Sequence, residues 1–137
     1  MPIDYAQEAD DLGALFKTIA ANIGSYLHDN PGLADDQYDQ LLAYQGKALN
    51  CSNKFIELSD KITFANDQQY FQKVDEATAA IKANLETIAT TDKWITFAGA
   101  VVSLGTSILS ANGGGIISSV STILSTFNIN PAEDGQS

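Results

Sequence analysis

A chain of 137 residues, 45% hydrophobic and 18% charged, has the size and composition of one globular domain, and disorder throughout is excluded. Its formal charge of −10 comes from 17 acids against seven lysines with no arginine, which argues against nucleic acid as a partner, because phosphate binding needs a clustered basic face. The single cysteine, Cys51, cannot close an internal disulfide, and the single histidine, His28, cannot build a metal centre without carboxylate help, so no metal or cofactor is expected. The opening MPIDYAQEADDLG is acidic and has no basic segment followed by an apolar run. No Sec-type signal is therefore expected: the protein stays in the cytoplasm as synthesised or leaves by a specialised route.

Through the first 93 positions apolar residues recur at helical spacing. Leu12, Leu15, Phe16, Ile19, Ile23, Tyr26 and Leu27 predict a helix over 4–28, stopped by HDNPG, where Pro31 disfavours a helical Asn30. A second helix is predicted over 34–64, with Asp35 and Asp36 at its positive end and an inner face of Tyr38, Leu41, Leu42, Ala48, Leu49, Phe55, Ile56 and Ile62. A third, capped by Asn66 or Asp67, carries Tyr70, Phe71, Val74, Ala77, Ile81, Leu85 and Ile88 inward and ends or bends at TTDKW, residues 90–94. Neither period-2 alternation nor a solenoid repeat competes.

Charge is partitioned along the chain. Residues 94–132 hold 39 consecutive positions without a formal charge, whereas residues 1–93 hold fifteen acids and all seven lysines. SANGGG at 110–115 divides this segment into arms over roughly 94–111 and 116–128, and their alanines, leucines and helical neighbours outweigh the β-branched content of the second. The first arm has 18 residues, about 27 Å as a helix, close to the ~30 Å hydrocarbon thickness, so its length permits a bilayer span. The second, IISSVSTILSTF, is too short to span unaided.

Contacts of the hairpin are expected from Trp94, Phe97, Gly99, Val101, Val102, Ser103, Leu104, Ser107 and Leu109 on the first arm. Gly113, Gly114 and Gly115 form the tip, and Ile116, Ile117, Val120, Leu124 and Phe127 continue the surface on the second arm. Gly99, Ser103 and Ser107 make a row of small residues that lets helices approach closely. The expected fold is all-α, an antiparallel bundle of three amphipathic helices packed on the apolar hairpin. It forms one domain over 1–129, with a polar tail, NPAEDGQS, over 130–137.

Three amphipathic helices followed by an uncharged hairpin, with Trp94 beside Lys93 as an interface anchor and glycines at the tip, resemble α-helical pore-forming toxins of the colicin or haemolysin type in the order and character of their segments. The resemblance implies a hairpin sheltered in water and released into a membrane on contact, at low pH or on oligomerisation. It carries over no functional residue. A second expectation comes from the acids: Asp35, Asp36 and Asp39 form a patch for a basic protein partner, with the hairpin as permanent core or homo-oligomer interface. A constitutive membrane protein is disfavoured by acidic flanks on both sides of the uncharged run.

Catalysis finds no residue set. His28 and Cys51 are the only candidate base and nucleophile, but a histidine at a helix end more often meets the last carbonyls and a cysteine near an inner stripe more often packs. The acids Glu8, Asp10 and Asp11 and the group Asp35, Asp36 and Asp39, read as meeting near one corner, lack the spacing of a calcium loop. The three glycines at 113–115 are followed by no lysine, so they are no phosphate loop. An enzyme or a small-molecule substrate is not expected.

Overall fold

A computed structural model describes residues 5–64 and 68–128. It contains α1 (Tyr5–Asp29), α2 (Asp35–Glu57), α3 (Gln68–Asn84), α4 (Thr91–Leu109) and α5 (Gly113–Thr126), with a 3-10 turn, Leu85–Thr87, directly after α3. No strand occurs among the described residues. The fold is thus the all-α bundle that the periodicity predicts. The proposed caps Asn66 and Asp67 and the tail 130–137 lie outside the described residues.

Cross-helix contacts set the directions. Ser52 Oγ donates to the Gly13 carbonyl at 2.6 Å and Gln45 Nε2 to the Ala20 carbonyl at 3.1 Å, so α1 and α2 are antiparallel. Tyr44 lies against Gly99 and Cys51 against Gly105, which makes α2 and α4 parallel neighbours. Tyr70 lies against Gly113 and Tyr5 against Phe71, so α1, α3 and α5 point one way and α2 and α4 the other. Successive helices therefore alternate in direction while some spatial neighbours do not.

Aromatic side chains mark three levels of the core. Tyr5, Phe64 and Phe71 meet at one end, with ring centroids 5.3 to 5.7 Å apart. Phe16 meets Phe55 edge-on at 5.1 Å in the middle. At the other end Trp94 lies between Tyr26 and Phe97, and Phe97 continues to Phe127. Such offset and edge geometries let the rings satisfy their quadrupoles while burying large apolar area.

Helix ends differ from expectation at three places. Helix α2 stops at Glu57 instead of 64, because the chain turns through Leu58–Lys61 to bury Ile62 and Phe64, the latter at a φ of 52°. Helix α3 stops at Asn84, and Ile88 reaches the core from beyond the 3-10 turn; Thr90 then caps α4, its side chain accepting from the Lys93 N–H. The glycines 113–115 are not a loop but the first turn of α5, with the Asn112 side chain accepting from the Gly115 N–H. The turn before them is a Schellman motif: Asn112 N–H donates to the Ser107 carbonyl and Ala111 N–H to that of Ile108, and the left-handed position falls on Ala111 at a φ of 55°.

The predicted inner face of α2 divides. Leu41, Ala48 and Phe55 are buried, but Tyr38, Leu42, Leu49 and Ile56 are exposed, a correction to the single inner stripe read from the sequence. Nor is the hairpin wrapped on all sides. Thr96, Ser103, Thr106 and Ser110 of α4 and Ser118, Ser121, Thr122 and Ser125 of α5 face solvent, so the hairpin is one wall of the bundle.

Gly105 marks the tightest junction: a Cβ there would lie 2.6 Å from the Phe16 ring and 2.9 Å from the Cys51 sulfur. Gly105→Ala should lower unfolding free energy by about 1–2 kcal/mol, overpacking outweighing the gain in helix propensity. Gly46→Ala, with no atom within 4 Å of its added methyl, should raise it by up to ~1 kcal/mol. Ala111→Gly should also stabilise, by about 0.5–1 kcal/mol, by relieving the left-handed alanine. Denaturant unfolding of the three variants checks all three signs.

Candidate functional site

The apolar residues of the hairpin turn inward. Trp94, Phe97, Val101, Leu104, Ser107, Ile116, Val120 and Leu124 are buried, and Gly99, Val102, Leu109, Gly113, Gly115 and Phe127 are half-buried. Of the residues expected to make contacts, only Ser103, Gly114 and Ile117 are exposed. Trp94 is 4% exposed, packed between Tyr26 and Phe97, so in this state it is a core residue. The small-residue row is already occupied within the molecule: Tyr44 covers Gly99, Ser119 Oγ donates to Ser103 Oγ at 2.9 Å, and Ser107 packs on Gly115.

Among the described residues no helix is long and apolar enough to cross a membrane, which corrects the span that arm length alone allowed. Helix α4 runs Thr91–Leu109 and so takes Asp92 and Lys93 into its first turn, and its outer side is hydroxylated.

The two acid clusters do not share a corner. Because α1 and α2 are antiparallel, Glu8 lies near the far end of the pair from Asp35, about 30 Å away along the helices. Asp35, Asp36 and Asp39 are all exposed on the first turns of α2. No group of three or more metal-binding side chains occurs among the described residues. At the other end, Glu8 is half-buried, and burial first, then Asp75 and Asp11, push its carboxyl above the ordinary value of 4.5 despite Lys82 nearby. An open cleft of about 340 Å³ runs beside it between α1 and the end of α3, with Ala14, Leu15 and Leu85 as apolar lining and Asp11, Thr18 and Lys82 as polar lining.

Cys51 is 4% exposed, and burial pushes its thiol up against the opposing pull of Lys54 and a hydrogen bond with Thr106. A thiol so placed is not an activated nucleophile. His28 is exposed in the last turn of α1.

The feature that sequence reading missed is on α2. Doublets Leu41-Leu42, Ala48-Leu49 and Phe55-Ile56 repeat every seven residues. Successive residues lie about 100° apart around a helix, and the first member of each doublet is buried while the second is exposed, at 46%, 39% and 54% for Leu42, Leu49 and Ile56. With Tyr38 at 39%, α2 holds four of the five large exposed apolar side chains among the described residues; Ile117 on α5 is the other. The heptad of doublets was the available signal, since a helix packed on one side needs only one member of each pair.

No family model matches the chain, and neither the curated proteins nor the solved structures include a match.

Because the folded state raises the Glu8 pKa, its stabilising contribution is present below the unfolded value and is lost as pH rises through the folded one. Glu8→Gln should therefore unfold at a higher temperature than the parent near neutral pH, with the difference vanishing below about pH 4. Thermal unfolding across that range measures it.

Proposed function

We propose that the protein acts without catalysis, as an acidic helical interaction protein of the adaptor or neutralising kind, with its C-terminal hairpin held permanently in the core. The observation that carries this reading is where apolar surface is left over. The hairpin spends its large side chains inward, whereas α2 exposes Tyr38, Leu42, Leu49 and Ile56 next to the acids Asp35, Asp36 and Asp39. An apolar strip beside like charge is the composition of a protein-binding surface more than of a lipid-facing one.

The membrane-insertion reading has less support. Release of the hairpin would have to break the 2.6 Å Tyr26–Thr91 hydroxyl bond, the Trp94 ring contacts and the Gly105 junction together. What it would then offer a bilayer is a helix with a hydroxylated flank and a second helix of 14 residues.

Dye-loaded vesicles decide between the two. No release is expected from about pH 4 to about pH 8, a range that covers carboxylate and histidine titration. Release by the parent that a folded Val102→Asp variant abolishes would overturn the reading. Val101→Asp, at a fully buried position of α4, should instead destabilise the fold by about 3–5 kcal/mol, the cost of an unpaired buried charge.

A further inference from the structure

We infer that the exposed stripe of α2 docks an amphipathic helix of a partner protein, lying antiparallel to α2 and carrying lysines or arginines in its last two turns. The inference rests on the interaction reading above and gives the partner its chemistry.

Shape supports a helical occupant. Tyr38 to Ile56 covers about 27 Å of helix, some five turns. Leu42, Leu49 and Ile56 recur at intervals of seven, the repeat by which one helix presents a continuous seam to another. The ground beside the seam is low. Gly46 has open space where a side chain would stand, and Gln45 is tied down by the hydrogen bond its side-chain Nε2 donates to the Ala20 carbonyl. At the far end Ile56 rests directly on Gly13, so the backbone of α1 forms one edge of the seat.

Charge selects the occupant and its direction. Asp35, Asp36 and Asp39 are exposed, and no lysine lies between Lys17 and Lys47 in the chain. A helix N-terminus carries the equivalent of about +0.5 charge, so three carboxylates leave this end strongly negative. A partner helix whose C-terminal turns meet these acids can place Lys or Arg there, where its own dipole also favours them. A second copy of this chain is a poorer occupant. It would bring −10 against −10 and, with the stripes antiparallel, set Glu57 beside the three aspartates.

The test uses the full-length protein and a synthetic peptide of about 18 residues, matched to the stripe, with leucines at seam positions and lysines in its last two turns. Controls carry the lysines in the first two turns or replace them with glutamate. By fluorescence anisotropy the first peptide should bind tighter than either control. A Leu42→Asn/Leu49→Asn variant, altered only at exposed positions and checked for parental thermal unfolding, should bind about tenfold more weakly or worse at fixed salt. An Asp35→Asn/Asp36→Asn/Asp39→Asn variant should bind more weakly and with a flatter salt dependence. Amide shifts on binding should fall on α2.

Unchanged affinity in the leucine variant would overturn the inference, as would shifts confined to α4 and α5. So would a sedimenting dimer that the leucine variant abolishes, which would assign the stripe to a second copy. Failure of peptide binding without dye release leaves the interaction reading standing and removes only this partner. Dye release undiminished in the leucine variant removes the interaction reading itself.

Discussion

The missing side chain at Gly105 is what lets three helices meet. The Phe16 ring of α1 and the sulfur of Cys51 on α2 occupy the space that any larger residue on α4 would claim, and Phe16 in turn stands edge-on to Phe55. Once α4 is seated there, the rest of the bundle follows through contacts of the same kind. Ser107 of α4 packs on Gly115, which fixes α5; Gly113 of α5 receives the Tyr70 ring, which fixes α3; and Phe71 of α3 meets Tyr5, which returns to α1. Tight packing of this sort transmits volume changes instead of absorbing them, so the ring is only as stable as its closest junction.

The long uncharged segment has a different meaning once its two sides are separated. On the inner side α4 and α5 face α2, α3 and each other, and a charge there would be buried without a partner. On the outer side most residues are serines and threonines, with Ile117 among them. Several bond back to their own helix: Ser110 to the Thr106 carbonyl, Thr122 to that of Ser118 and Thr126 to that of Thr122. Hydroxyls satisfied in this way need neither water nor an ion. Burial accounts for the absence of charge on the inner side, and on the outer side several hydroxyls are satisfied within their own helices.

How much of this was legible in the sequence depends on which physical signal carried it. Helix number, order and most boundaries were readable, because Leu12 through Leu27 and the SANGGG break obey period and turn chemistry that tertiary contacts did not override. The stop of α2 at Glu57 was not readable, since it goes with the burial of Phe64 against Phe71 and against Tyr5, the latter remote in sequence. Asn112 was read as part of a turn, but it ends the Schellman motif of α4 and caps α5 at once, so the two helices need no loop. The ring partners of Trp94 were not readable, since its burial depends on Tyr26, 68 positions earlier. The candidate surface was half legible. Asp35, Asp36 and Asp39 are exposed as helix-start acids usually are, but assigning both members of the α2 doublets to the core required knowing how many sides of α2 are covered.

The order of the wall in the chain has a consequence for synthesis. Helices α1 and α2 pair with each other and can form as soon as they leave the ribosome, whereas α3 packs on α5, which follows it by some thirty residues. Until α4 and α5 follow, the inner faces of α1, α2 and α3 are made but unroofed, with the side of Phe16 that Gly105 covers left open. Surface of this kind invites chaperone engagement and misassociation. The acidic charge, concentrated on the helices that emerge first, opposes such association by like-charge repulsion.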